Sequence, residues 1–119
     1  MMGQQYEELV RLFKALAHPA RLRILDALRW DEACVCHLEA LLGKPQAYVS
    51  QQLAVLRTAG LVRDRKEGQR VYYAISDRRL LPVLDAFLGP AKPATPLEGC
   101  RCPECRIHTT AQAAVFTFT

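Results

Sequence analysis

Residues 34–60 decide the fold of this chain, and they read Cys34-Val-Cys-His-Leu-Glu-Ala-Leu-Leu-Gly43-Lys-Pro45-Gln-Ala-Tyr-Val-Ser-Gln-Gln-Leu-Ala-Val-Leu-Arg-Thr-Ala-Gly60. Two short segments in this stretch each carry one apolar face, formed by Leu38, Leu41 and Leu42 in the first and by Val49, Leu53 and Leu56 in the second. Gly43 suits the end of a helix, and Pro45 suits the start of the next one. The pattern predicts two helices joined by a tight turn.

The second of these helices carries polar side chains near its N-terminus. If its apolar face packs inward, the residues that point outward are Gln46, Ala47, Tyr48, Ser50, Gln51 and Gln52. Short and amide side chains of this kind can reach base edges and phosphates, as a recognition helix in a major groove does. The two segments are therefore interpreted as a helix-turn-helix.

Two further helices are predicted before this motif. Residues 5–17 and residues 20–30 both repeat apolar positions with helical spacing, and His18-Pro19 separates them. In the second of these helices we expect Leu22 to point inward and Arg21 and Arg29 to point outward.

A β-hairpin is predicted directly after the recognition helix. Residues 61–65 and 70–75 are strand-like, and Gly68 lies in the turn between them. Between positions 57 and 70 there are two acidic residues, Asp64 and Glu67, and five basic ones, Arg57, Arg63, Arg65, Lys66 and Arg70. This order of elements, helices followed by a basic hairpin, is that of a winged-helix domain. The hairpin would lie along DNA phosphates and add affinity that depends on salt concentration.

The last predicted helix, residues 78–88, is apolar on more than one side. Such a helix needs a second burial partner. We therefore expect a homodimer formed through the first and last helices, with Leu9, Phe13, Leu84 and Phe87 in the interface. The predicted fold is mainly α with a small β-hairpin. Residues 1–89 would form the DNA-binding and dimerisation domain, and residues 90–119 a Pro-rich linker and Cys-containing tail.

Composition and charge place the chain in a broad class. Half of the 119 residues are apolar, and the net charge is +4, so the chain is an ordinary globular domain that is mildly basic. No basic N-terminal region precedes an apolar run, and no apolar stretch approaches about 18 residues. We expect a cytoplasmic protein that does not contact a membrane. The five cysteines would then stay reduced, which favours metal binding or redox chemistry over structural disulfides.

Three stretches resemble the ArsR/SmtB family of metalloregulatory repressors. They are Cys34-Val-Cys36, the run from Pro45 through Ser50 to Gly60-Leu-Val, and Arg65-Lys-Glu-Gly-Gln-Arg70-Val-Tyr-Tyr-Ala-Ile; residues 18–25, His-Pro-Ala-Arg-Leu-Arg-Ile-Leu, are similar to the family's second helix. The resemblance implies a homodimeric winged-helix repressor that leaves double-stranded operator DNA when an inducer binds. The DNA contacts that we expect are Gln46, Tyr48, Ser50 and Gln51 in the recognition helix, with Arg57, Arg65, Lys66 and Arg70 at or near the wing. A twofold dimer implies an imperfectly palindromic operator.

The resemblance also implies that Cys34 and Cys36 bind the inducer. Relatives with this motif respond to arsenite, antimonite, cadmium or lead, and soft thiolates suit such ions. Residues two apart project about 200° from one another on a helix, so the two thiols can converge on one ion only if the first turn unwinds. One related pattern has a third cysteine ligand where this chain has Glu39, and the last helix contains no histidine that could act as a ligand. We expect further ligands from Cys100, Cys102 or Cys105, because the linker spans up to about 36–40 Å.

Several alternatives stay open at this stage. As(III) or Sb(III) is the favoured inducer, and Cd(II), Pb(II) or Zn(II) is the alternative. The three tail cysteines could form a site by themselves, or the thiols could sense oxidants or persulfides. A metal-carrying interaction module is a third class. His37 and His108 could be ligands, but we expect them to be solvated or to lie behind the ligands. Nothing in the pattern supports catalysis, so no enzymatic activity is expected.

Overall fold

The computed structural model describes residues 2–92 of the chain. Its elements, in chain order, are α1 (Met2–Leu16), α2 (Pro19–Leu28), β1 (Ala33–Cys34), α3 (Val35–Leu42), α4 (Gln46–Thr58), β2 (Val62–Glu67), β3 (Arg70–Ile75) and α5 (Leu80–Leu88). The prediction of a mainly α, winged helix-turn-helix domain is confirmed. The predictions for the linker beyond residue 92, for the tail cysteines Cys100, Cys102 and Cys105 and for His108 fall outside the described residues.

Local signals begin and end the helices where the sequence places them. His18 is extended, and its Nδ1 atom accepts a hydrogen bond of 3.1 Å from the backbone N–H of Ala20, while Pro19 occupies the first turn of α2. Gly43 ends α3 in the left-handed conformation, with φ of 63°, which costs a residue without Cβ least. Pro45 is extended and leads directly into α4. The tight turn between α3 and α4 therefore forms as predicted.

One hydrophobic core holds the three-helix unit and the sheet together. The side chains that are fully buried in it come from α2, α3, α4 and the turn between α4 and β2, namely Ile24, Leu25, Leu38, Val49, Leu53, Leu56 and Leu61. The apolar faces predicted for α3 and α4 therefore meet each other and α2. This packing leaves the polar N-terminal half of α4 at the surface.

The sheet is larger than the predicted hairpin. It has three antiparallel strands in the order β1-β3-β2, because Ala33 pairs with Tyr73 and Cys34 pairs with Tyr72. β2 and β3 form the hairpin, and Gly68 turns between them with φ of 62°. The extra strand contains only two residues, which is too short for alternation to reveal it. Its consequence is that the first thiol belongs to the sheet of the wing.

Several predicted boundaries and orientations are wrong. The first helix, predicted for residues 5–17, begins at Met2, and the last, predicted from residue 78, begins at Leu80. Leu22 is 38% exposed. The predicted outward direction of Arg29 is also incorrect: its side chain is only 3% exposed and reaches the carboxylate of Asp85 at 2.7 Å. Charge alone predicted a surface position, but a carboxylate on another helix stabilises the guanidinium inside.

Candidate nucleic-acid interface and thiol site

The N-terminal half of α4 presents a polar surface. Gln46, Ser50 and Gln51 are exposed and Tyr48 is half-buried, with the Nζ of Lys44 5.5 Å from the centre of the Tyr48 ring. These four predicted DNA contacts thus lie on or beside one accessible stretch of helix. Amide and hydroxyl groups placed in this way can hydrogen-bond to base edges and to phosphates.

Gln52 does not belong to this surface, although the sequence predicted that it would. It is buried at 9% exposure, and its Oε1 accepts a hydrogen bond of 3.0 Å from Nη1 of Arg21. The same guanidinium donates to the backbone carbonyls of Ala15 at 2.6 Å and Lys14 at 3.2 Å. Arg21 was predicted to point outward, but the carbonyls at the end of α1 provide it with acceptors. The pair fixes α4 against the α1–α2 junction.

The wing carries its positive charge among carboxylates. Arg65 donates hydrogen bonds to Glu32, at 2.6 Å, and to Glu67. These hydrogen bonds raise the pKa of Arg65, and the one to Glu32 has the larger effect. Arg57 lies 3.3 Å from Asp64. Lys66 is exposed beside the hairpin turn, whereas Arg70 is half-buried. Lys66 is therefore the predicted wing contact that is best placed to meet a phosphate.

The two thiols lie on either side of the boundary between strand and helix. Cys34 is the last residue of β1 and the N-cap of α3, with φ of −78° and ψ of 160°, and it is 2% exposed. Cys36 is in the first turn of α3 and is half-buried. The expectation that both thiols start the helix is wrong for Cys34. One of the two residues is already extended, so the pair does not require the helix to unwind before it can approach one ion.

Tyr72 packs beside this thiol pair. Cys34 and Tyr72 are paired across β1 and β3 and form a small buried cluster, against which Cys36 and Ala40 pack. The Tyr72 side chain is 3% exposed, and among residues 2–92 its hydroxyl has no hydrogen-bond partner. Leaving a buried hydroxyl without a partner costs about 1–3 kcal/mol. The unpaired hydroxyl could not be inferred from the sequence.

His37 is buried at 7% exposure, so of the two positions expected for it the solvated one is excluded and the one behind the ligands stays a prediction. Burial lowers the pKa of His37, and the nearby Cys34 opposes that shift. The imidazole is therefore neutral near neutral pH. Within the part of the chain that the structure describes, no three His, Cys, Asp or Glu side chains are grouped so that they could hold a metal ion. Within the described residues, the thiol pair could offer two sulfur ligands to an ion.

Helices α1 and α5 present apolar side chains to solvent. Leu9 is 46% exposed, Phe13 54% and Phe87 86%. A groove of about 490 Å³ between the two helices has Leu9, Leu12, Phe13, Leu80 and Val83 among its lining residues, together with the polar Gln5, Glu8, Asp77 and Arg79. Leu84 differs from the other predicted interface residues: it is 5% exposed and belongs to the core of its own chain. No helix in the described range is both long enough and apolar enough to span a bilayer.

Comparison with known proteins identifies similar sequences over most of the described range. Residues 18–64 match the family model "Bacterial regulatory protein, arsR family". A Synechocystis protein named transcriptional repressor SmtB homolog is 40% identical over 68% of this chain and 61% of its own length. The biofilm growth-associated repressor of Agrobacterium fabrum is 39% identical over 72% and 74%, and the arsenical resistance operon repressor of Escherichia coli is 44% identical over 56% and 58%. The matched region thus covers less than two thirds of the length of the Synechocystis and Escherichia coli proteins.

Solved structures resemble the fold as well. Reduced HlyU from Vibrio cholerae has a TM-score of 0.68 and 36% identity, over 75% of this chain and 97% of that one. The homodimeric winged helix-turn-helix DNA-binding domain of Mb0332 from Mycobacterium bovis has a TM-score of 0.66 and 32% identity, over 72% and 82%.

Proposed function

Because the chain belongs to the ArsR/SmtB family of transcriptional repressors, we propose that it represses by binding operator DNA and releases that DNA when a thiophilic ion binds Cys34 and Cys36. One observation carries this proposal: the thiol pair lies between a strand of the wing sheet and a helix that packs on α4. Members of this family are regulators rather than enzymes.

The proposed DNA surface consists of the start of α4 and the wing. Gln46, Tyr48, Ser50 and Gln51 would read or position bases, and Arg57, Arg65, Lys66 and Arg70 would lie near phosphates. Exposure of the first group, apart from the half-buried Tyr48, supports this assignment. In a twofold dimer the two α4 helices would meet half-sites of an imperfect palindrome about one helical turn apart.

The proposed dimer uses the apolar surface of α1 and α5. The exposure of Leu9, Phe13 and Phe87 supports it, because large apolar side chains grouped on two adjacent helices mark an interaction surface. The homodimeric state of the M. bovis relative supports it as well. Leu84 would contribute only by supporting α5 from within the core.

The proposed inducer is As(III) or Sb(III), with Cd(II), Pb(II) or Zn(II) as the alternative. Two thiolates suit any of these soft or borderline ions, and similarity to an arsenical resistance repressor favours the first pair. We further propose, from sequence alone, that Cys100, Cys102 or Cys105 in the C-terminal segment supplies a remaining ligand.

Release of DNA would follow from the position of Cys34. An ion bound to both Cys34 and Cys36 would strain the pairing of β1 with β3 and the first turn of α3. Glu32, just before β1, bonds to Arg65 of the wing, so the same movement would disturb both the wing and the helix that supports α4. The ion and the operator would then favour different conformations, and their coupling would be reciprocal.

The test is a pair of variants measured for operator binding with and without arsenite. Cys34→Ser with Cys36→Ser should keep operator affinity within about twofold, because neither thiol lies on the proposed DNA surface, and should abolish release by arsenite. The matched variant, in which the three tail cysteines become serine, reports whether the tail contributes. Arsenite release that survives loss of both Cys34 and Cys36 would contradict the proposal.

A second candidate is a repressor that senses thiol oxidation or persulfides. The observation that favours it is the packing of Cys34 and Cys36 against one buried cluster, since nearby thiols can bridge reversibly. Titration of the reduced protein under argon separates the two candidates. Release by oxidant or persulfide, but by none of the five ions, would replace the ion-sensing proposal with this one.

A further inference from the structure

The Tyr72 hydroxyl is a buried polar group that the proposed repressor mechanism does not use. Its side chain is 3% exposed, and within residues 2–92 the hydroxyl neither donates nor accepts a hydrogen bond. Buried polar groups in folded proteins are nearly always paired, so an unpaired one calls for a physical explanation. A ligand that reaches it would provide the missing partner.

The surroundings of Tyr72 indicate which ligand that would be. Arg65, Tyr72 and Cys34 are paired in succession across the three strands, so their side chains share one face of the sheet. The Arg65 guanidinium lies 4.8 Å from the centre of the Tyr72 ring. On the other side, Cys34 shares the buried cluster with Tyr72, and Cys36 packs against that cluster. The Tyr72 side chain therefore lies in one buried cluster with Cys34, and Cys36 packs beside it.

We propose that Tyr72 is a third group of the inducer site, and that its hydroxyl hydrogen-bonds to an oxygen that the ion keeps after both thiols have bound. This inference rests on the proposed function, because it takes Cys34 and Cys36 as the ligands. It specifies the inducer as a trivalent metalloid hydroxide. A thiol pair with a hydroxyl group beside it matches an ion that holds two sulfurs and one oxygen.

The chemistry of arsenous acid balances in such a site. Condensation with the two thiols forms two sulfur–arsenic bonds and breaks two arsenic–oxygen bonds. Two water molecules leave, each made from one hydroxide of the arsenic and one thiol proton, and no electron is transferred. One hydroxyl group stays on the arsenic, and Tyr72 can donate a hydrogen bond to its oxygen. A tail thiol that then reaches the ion would displace this arsenic hydroxyl group as a third water molecule, so Tyr72 acts on the complex that Cys34 and Cys36 form alone.

The experiment compares two arsenicals in the full-length chain with Cys100, Cys102 and Cys105 changed to serine. Arsenite that is bound to two thiols keeps one hydroxyl group on the arsenic. Methylarsenite bound in the same way carries a methyl group of similar size in that position. Tyr72→Phe should weaken arsenite binding about three- to tenfold, as expected for one lost hydrogen bond, and leave methylarsenite binding unchanged. Binding is read from sulfur–arsenic absorbance and from protection of the two thiols against a thiol-reactive dye.

Two controls separate this role from a structural one. Tyr73→Phe removes a hydroxyl from the neighbouring residue, which points to the opposite face of β3, and should change neither affinity. The thermal midpoint of Tyr72→Phe should equal or exceed that of its parent, because an unpaired buried hydroxyl is lost. A fall in the midpoint would overturn the inference.

Three further results would also overturn it: arsenite affinity unchanged in Tyr72→Phe, equal weakening of both arsenicals, or no arsenite binding once the tail cysteines are serine. In each case the proposed function stands as long as the unaltered chain binds arsenite through Cys34 and Cys36. Absence of binding in the unaltered chain would contradict the proposed function itself.

Discussion

Arg29 shows how one buried cation organises this small domain. Its guanidinium contacts Asp26 in α2 at 2.8 Å and Asp85 in α5 at 2.7 Å, and it donates to the carbonyl of Gly89 at 2.7 Å. Residues 26 and 85 are far apart in sequence, so Arg29 ties α2 to the end of α5. Both carboxylates are about half exposed, which limits their cost of desolvation.

We predict that Arg29→Met lowers the free energy of unfolding by about 2 kcal/mol, because hydrogen bonds to charged groups contribute about 1.5–3 kcal/mol. Urea denaturation followed by circular dichroism measures it. Arg79→Met is the matched control: Arg79 bonds to Asp77 at 2.7 Å, but its side chain is 86% exposed, so its loss should change the free energy of unfolding much less than the loss of Arg29. Equal losses in the two variants would show that Arg29 has no special role.

At the scale of elements, β1 is the feature that would join the proposed thiol site to DNA binding. It contains two residues, yet it places Cys34 opposite Tyr72 and brings Glu32 to Arg65. β1 is therefore a strand of the wing sheet that leads directly into α3, the helix that carries Cys36. A movement at the thiols would reach the wing through backbone pairing and the recognition helix through the packing of α3 on α4.

The wing also yields a prediction about salt. Lys66 is exposed beside the hairpin turn, so Lys66→Gln should weaken binding to all DNA sequences similarly and reduce the slope of log affinity against log salt by about one per protomer, or two per dimer. Fluorescence anisotropy over a range of salt concentrations measures the slope. Arg78→Gln removes an exposed charge outside the wing and should leave the slope unchanged. If both variants change it equally, net charge rather than the wing is responsible.

At the scale of the whole molecule, α1 and α5 are bound to the core on one side only. The core takes Ala15 from α1 and Leu80 and Leu84 from α5, while Tyr6, Leu9, Val10, Phe13, Val83, Phe87 and Leu88 stay exposed. An apolar surface of this extent favours association with a second copy. Two copies would also present two recognition helices, as a palindromic operator requires.

We predict that Phe13→Glu with Phe87→Glu shifts the protein from dimer to monomer, because two charges per protomer would be buried without partners in the interface. Sedimentation velocity at micromolar concentration measures the state, and operator affinity should fall at least tenfold, since a monomer holds one half-site. Leu22→Glu adds a charge at an exposed apolar position on α2 and should leave the dimer intact. A doubly substituted protein that stays dimeric would contradict the assigned interface.

The sequence by itself determined the helix-turn-helix and the hairpin. Periodic leucines and valines select the buried faces of α3 and α4, Gly43 and Pro45 set the turn, and Gly68 sets the hairpin, so each of these elements follows from neighbours in sequence. The thiol motif and its likeness to a repressor family were also readable from the residues alone. Local signals are enough where the interacting residues are close along the chain.

Only the tertiary structure decided the positions that depend on distant partners. Gln52 is buried because Arg21 reaches it from α2, and Leu84 is buried because α5 packs onto the core. Cys34 lies in a strand because β3, almost 40 residues later, pairs with it, and that register places it opposite Tyr72. Spacing along a chain does not encode cross-strand register between remote segments, because register is set by packing of the whole core.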